Sequence, residues 1–357
     1  MKNIVYIGTY TQNNSGEEDP AAGIWICTFD SLSGRLERVR GVEAGPNPSF
    51  LCMSPGGRYL YAANETRESQ VSAFAVNPQD GGLALLNRMP TRGNNSCYVS
   101  LSPSERWLMV SNYSSGSLTV LPVREDGSLG LLTDLVQHSG FGPHLARQEQ
   151  AHAHSIRFDP SGQYALAADL GMDCVLVYSL DEALGKLRLH DGISGTAVSG
   201  AGPRHMEWHP GGKILYVANE LNSSVAVYAW DAAHGRLEPL RTVSTLPANA
   251  ADLENTVADI HLTPDGRFLY VSNRGHNSLA AFNVDAAGGE LTRVGVYPSG
   301  GDWPRNFAIH PDGKYLLAAN QYSGDVVVFQ IHPDGSLSPT GEEIHVPSPV
   351  CVLFAPL

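Results

Sequence analysis

Three features of the sequence predict an all-β protein built as a seven-bladed β-propeller with four-stranded blades. A proline, a tight polar turn and an apolar run recur at Pro55, Pro103, Pro160, Pro210, Pro264 and Pro311. The spacings of 48, 57, 50, 54 and 47 residues match the ~40–50-residue period of propeller blades. The two ends of the chain carry complementary fragments of one further copy.

The strands of each copy follow from local pattern. In 202–222, GPRHMEWHPGGKILYVANELN, an alternating run ends at Pro210. Gly211 and Gly212 turn the chain, and a second apolar run leads to Asn219 and Glu220. Alternation, a glycine turn and a β-rich second run read as a hairpin. One hairpin cannot bury its own faces, so the unit needs copies of itself. The segments after the other prolines read GGRYLYAANE, SERWLMVSNY, SGQYALAADL, DGRFLYVSNR and DGKYLLAANQ. Third runs follow at 71–76, 117–123, 175–180, 225–230, 278–284 and 325–331. Fourth runs begin at 82–85, 128–131, 186–189, 236–239, 290–293 and 336–338.

The last copy is split. PVCVLFAP at 349–356 matches PSFLCMSP at 48–55 in spacing and supplies a first strand only. Residues 2–11, 23–29 and 34–39 supply the other three. Sharing one blade between the termini closes the ring and removes two open edges. Residues 1–357 therefore read as a single seven-bladed domain. No charge block or low-complexity run marks a linker.

Composition narrows the function. The formal net charge is -13, which argues against nucleic acid, whose binding needs clustered Lys and Arg, and against an anionic membrane surface. No run approaches the ~18 apolar residues of a membrane helix. MKNIVYIGTYT lacks the continuous apolar core of a signal peptide. Five cysteines without a CxxC pair suit a reducing compartment. The expectation is a soluble cytoplasmic protein, monomeric or weakly homo-oligomeric, that could take a small anionic substrate only through a local cluster of positive groups.

Three excursions interrupt the period. Residues 12–22 are polar and acidic, and 245–256 are polar and expected to be exposed. The longest connection, 137–152, separates blades three and four and holds His138, His144, Arg147, Gln148, Glu149 and His152. Long loops in compact domains are usually functional.

The repeats can be compared with each other. Nine residues after each anchor stand Asn64, Asn112, Asp169, Asn219, Asn273 and Asn320, a column that shapes a turn. The next column varies: Glu65, Tyr113, Leu170, Glu220, Arg274, Gln321 and, through the closure, Thr9. Six and five residues before the anchors stand Ser49–Phe50, Cys97–Tyr98, His154–Ser155, Arg204–His205, Ala258–Asp259, Arg305–Asn306 and Val350–Cys351. Antiparallel pairing brings both columns to one mouth of the central channel.

Three arginines converging in an acidic protein suggest a carboxylate or phosphate ligand. A nearby Glu or His could activate water, and Arg could stabilise an oxyanion. Salt bridges between blade tips would account for the same residues without chemistry. His152 and His154 form an HxH pair to which His138, His144 and His276 could add, but the arginines would repel a metal, so neither metal nor cofactor is expected. There is no GxSxG elbow, P-loop or GxGxxG.

The stretches HSGFG, RQEQAHAH, AADLGMDCVLVY, GPRHMEWHP, YVANELNSSVAVY, YVSNRGHNSLAAF and WPRNFAIHPDGKYLLAANQ, with the closing strand, resemble the seven-bladed lactonase family. That family includes propeller-type bacterial 6-phosphogluconolactonases and the fungal 3-carboxy-cis,cis-muconate lactonizing enzyme. The resemblance spans essentially the whole chain. It implies an active-site set of His154 in HAHS, Arg204 in GPRH, Glu220 in NEL and Arg274 in NRGH. The chain departs from the pattern at Thr9 and in FGPHL of the long loop. The expected function is hydrolysis of a sugar lactone, 6-phosphogluconolactone to 6-phosphogluconate. Arg204 and Arg274 would hold the anion and the oxyanion, and Glu220 or His154 would activate water. His152, His205, Arg305, Asn306, Gln321, His276 and Gln148 would bind substrate. The alternatives are a cycloisomerase acting on a muconate-type dicarboxylate and a non-catalytic binding propeller.

Overall fold

The hairpin expected at the anchor prolines forms in every copy. Around Pro210, strand Pro203–Trp208 pairs antiparallel with Ile214–Asn219, that strand with Ser224–Asp231, and that one with Arg236–Ser244. The computed structural model describes residues 2–12, 22–250, 253–285 and 289–356. Among these lie seven four-stranded antiparallel sheets, the blades of a propeller. In blade one, Pro349–Phe354 is the innermost strand and pairs with Lys2–Thr9, so strands from both termini share a sheet. Most of the acidic excursion expected at 12–22 lies outside the described residues. No helix among the described residues is long and apolar enough to cross a membrane.

The core lies between blades. Among the described residues seven apolar clusters are present, and each joins one pair of neighbouring blades. Leu166 and Val177 of blade four, for example, meet Trp208, Val217 and Tyr228 of blade five. Each fully buried side chain of this kind contributes ~1.5–3 kcal/mol. The Asn column ties blades together: Asn64 donates through Nδ2 to the carbonyls of Ala44 and Pro46 on the incoming connection, both at 2.8 Å.

Two expectations are corrected. The fourth strand of blade three is Asp134–Gln137, not 128–131. In the latter segment Asn87 of blade two accepts from the Leu129 N–H and donates to its carbonyl. The backbone is thereby held across the blade boundary, apart from a single bridge to Val123. The excursion at 245–256 is also not simply exposed. Thr245 is buried and donates to Asn273 Oδ1 at 2.7 Å, Leu246 is buried beside it, and a 3-10 turn follows at Ala248–Ala250.

Every innermost strand carries a β-bulge near its start. The pairing skips Ser49, Cys97, His154, Arg204 and Arg305, skips Ala258 and Asp259 together in blade six, and skips Val350 in blade one. A bulge leaves one residue unpaired and re-aims its side chain. The bulged residue of each blade stands six positions before the anchor proline, joined by Asp259 in blade six, so that column is free of ladder pairing and can vary chemically.

Candidate active site

The bulges and the strand ends enclose a cavity of about 380 Å³ at one mouth of the channel. Glu220, just past the end of its strand, is the charged centre. Arg204 donates through Nε and Arg274 through a terminal nitrogen to the same carboxylate oxygen, each at 3.0 Å. Arg147, from the long loop, bonds the other oxygen. Burial alone would raise the pKa of Glu220, but Arg274, Arg204 and Arg147 outweigh it and hold the carboxyl far below its usual range. Glu220 is thus a fixed anion and a very weak base.

His154 stands at the bulge of blade four with different surroundings. Its ring contacts Cys97 Sγ at 3.8 Å and packs edge-on against Tyr113 and His205. Burial, reinforced by Arg204, His205, Arg305 and Arg274, pushes its pKa well below that of free imidazole. His154 is therefore neutral at pH 7, with a lone pair available. Cys97 is no competing nucleophile, because burial pushes its thiol up, away from the reactive thiolate.

The opposite wall is anchored from blade seven. Arg305 donates to Tyr10 Oη at 2.7 Å, Tyr10 donates to Glu65 at 2.7 Å, and Arg305 lies 3.9 Å from Glu65. Burial would lower the Arg305 pKa, but Tyr10 and Glu65 more than compensate and raise it. Trp303 closes the side, its ring centroid 5.4 Å from the Arg274 guanidinium and stacked on Tyr322. Its φ of +67° is a strained conformation for a bulky residue. Burial brings Arg274 down to about 9 despite Glu220, which leaves it charged at neutral pH.

A second polar layer lies beneath. His205 donates through Nδ1 to Asp259 at 2.8 Å and receives Arg204 at Nε2. That pattern fixes its tautomer. Burial and Arg204 lower its pKa to about 4, against the pull of Asp259. Asp259 also accepts from His261 and Asn306. Phe50, Tyr98 and His205 pack ring against ring at 4.2–5.6 Å under the cavity.

The profile of the lactonase family of seven-bladed β-propellers matches residues 4–354. The chain belongs to this lactonase family. A 6-phosphogluconolactonase of Bacillus subtilis is 34% identical over 355 residues, covering 99% of this chain and 98% of that protein. A 6-phosphogluconolactonase of Formosa agariphila is 33% identical, covering 91% and 92%. Among solved structures, the periplasmic gluconolactonase PpgL of Pseudomonas aeruginosa superposes with a TM-score of 0.91 at 34% identity, covering 99% of both chains.

Membership in the lactonase family makes this a lactone-hydrolysing enzyme. The residues expected from its sequence divide into four groups. His154, Glu220, Arg274 and Arg305 line the cavity. Arg204, His205 and Asn306 are buried just behind or beneath it, Arg204 reaching the cavity only through Glu220. Gln321 does not line the cavity either and leaves its Oε1 buried without a partner among the described residues. The remaining three do not line the cavity. Gln148 spends its amide on the Leu170 carbonyl, Asp173 and the His144 N–H, pinning the long loop. His276 bonds Ser278. His152 stacks behind Tyr113 and meets its carbonyl at 3.0 Å. The bulge falls on His154, the second member of the HxH pair, and turns it away from His152, and no group of three metal-ligating side chains occurs among the described residues.

The cavity also holds residues that sequence reasoning did not assign to it: Glu65, Cys97, Tyr113, Arg147, Glu254, Thr256 and Trp303 line it, and Tyr10 orders it. Four were legible in principle. Glu65 and Tyr113 stand in the strand-end column, Cys97 in the bulge column and Arg147 in the long loop. Trp303 precedes the innermost strand at the place where other blades put Asn47, Asn95, Gly202 and Ser348, all at positive φ. A tryptophan in that series was the available signal.

Proposed function

We propose that this lactonase hydrolyses 6-phosphogluconolactone to 6-phosphogluconate with His154 as the general base. The observation that carries the reading is the pairing of a neutral His154 with an ionised, triply bonded Glu220 in one arginine-rich cavity. His154 takes a proton from water as its oxygen bonds to the lactone carbonyl carbon. Arg274 and Arg305 stabilise the oxyanion. The bond from that carbon to the ring oxygen then breaks, and the leaving oxygen recovers the proton from His154. One water is added, and the carboxylic acid so formed gives its proton to solvent and leaves as the carboxylate. Glu220 holds Arg147, Arg204 and Arg274 in place, so Arg204 acts as a positioning residue. The surplus of guanidinium groups suits a substrate that carries a phosphate. The relatives that bear the 6-phosphogluconolactonase name support the same substrate. Five cysteines, none in a disulfide, support the cytoplasm as the compartment.

The test is acid release from freshly prepared 6-phosphogluconolactone, corrected for spontaneous hydrolysis. His154→Asn is expected to lower kcat by ~10²–10⁴-fold, the usual worth of a general base. An unchanged rate in that variant would remove His154 from the reaction, and a product formed without uptake of water would point to cycloisomerisation instead.

A further inference from the structure

A cleft of about 670 Å³ adjoins the cavity and shares Arg147, Glu254 and Thr256 with it. It runs outward beside the turns of blades five and six, where Leu221, Leu246 and Leu253 supply apolar surface. Each of the two spaces falls in the ordinary range for a ligand pocket, ~300–1,000 Å³. A lactone of one ring occupies only the inner one.

The junction between the two has an unmet requirement. Thr256 Oγ1 is buried and has no hydrogen-bond partner among the described residues. Thr256 pairs across the sheet with Arg274, whose Nε is likewise buried and unpartnered. Leaving such groups unsatisfied is costly, and a polar ligand passing through the junction would satisfy them.

The lining selects the ligand. The charge of Arg147 is engaged by Glu220, and Glu254 adds a carboxylate at the junction. An anionic group is therefore disfavoured in the outer space. Leucines for the C–H face of a ring, with a carboxylate, an amide and hydroxyls for its O–H groups, suit an uncharged sugar.

We propose that the outer cleft is a second subsite that takes an uncharged sugar ring joined by a glycosidic bond to the lactone. The enzyme then also hydrolyses glycosyl-substituted aldonolactones. This rests on the lactonase reading above. The bonds made and broken are the same, water adding across the lactone ester, and the glycosidic bond is untouched.

The test compares δ-gluconolactone with cellobionolactone, for wild type and for Leu253→Trp, which fills the outer cleft only. Leu253 is half-exposed, so the fold tolerates the change. Wild type is expected to show a kcat/KM about tenfold higher on the two-ring lactone, equivalent to ~1.4 kcal/mol. Leu253→Trp is expected to remove that preference and leave the one-ring rate unchanged. Equal rates on both lactones, or a variant that slows both alike, would overturn the subsite. Calorimetric titration with cellobionate and gluconate, which do not turn over, probes the outer cleft without catalysis. Tighter binding of cellobionate, lost in Leu253→Trp, supports the subsite even if no lactone is hydrolysed, in which case the reaction reading fails alone. Equal binding of both acids sinks the subsite whatever the reaction.

Discussion

Arg204 donates its Nε–H to Glu220 at 3.0 Å from the neighbouring strand of the same blade. The bulge that lifts Arg204 out of the ladder and the strand end that carries Glu220 are features of one hairpin, sixteen residues apart. The ion pair is consequently preformed by local structure and does not depend on closure of the ring.

Glu220 is the anion shared by three guanidinium groups, two of them buried. Glu220→Gln keeps the shape and removes the charge. Breaking a buried ion pair from one side typically costs ~3–5 kcal/mol. The variant is expected to lose stability of that order in urea denaturation and to lose at least ~100-fold in kcat, because the arginines repel one another out of position. Loss of stability with full activity would show that Glu220 serves the fold only.

The pH profile tests the protonation state of His154. His154 is pushed well below the imidazole value by burial and by its cationic neighbours. It must be neutral to accept a proton, so its working form persists below pH 6.5. After subtraction of spontaneous hydrolysis, kcat/KM is expected to stay flat from pH 8 to pH 6. An ordinary histidine would lose about three-quarters of its activity by pH 6, since its pKa is ~6.5. A profile bending near 6.5 would refute the shifted value.

His261 makes a stability prediction of opposite sign. Burial disfavours its charge, but Asp259 and Glu207 dominate and raise its pKa to about 10. Its folded pKa lies above its unfolded value of ~6.5. The stabilisation is therefore fully present below pH 6.5 and is lost as the pH rises toward 10. The Tm of wild type, relative to that of His261→Gln, is expected to converge on the variant's across that window. A constant difference between the two proteins would show that His261 is not charged in the folded state.

The ring was readable from the sequence because strand patterning, glycine turns and spacing repeat, and each copy checks the others. The split blade was readable for the same reason. Where the copies differ, reading failed. In blade three, Asn87 captures the backbone at Leu129 from a neighbouring blade, an interaction without a periodic trace. The site divided along the same line. His154, Arg305, Glu220 and Arg274 stand in columns that the fold aims inward. Gln148 and His276 were expected on chemistry alone, and their hydrogen bonds turn them to the backbone and to Ser278. Arg147 reaches Glu220 through a loop whose path no repeat encodes.

The bulge at the head of each innermost strand turns the ring into a set of interchangeable sockets. Serine, cysteine, histidine, alanine and valine all sit there alongside two arginines, and the ladder on either side re-forms around each. Exchange of a socket residue leaves every strand pair intact, because that residue makes no ladder pairing. The Ser49 and Val350 sockets hold small side chains on the side away from His154 and Arg204, and they are the places where new reactivity could be grafted at least cost to the scaffold.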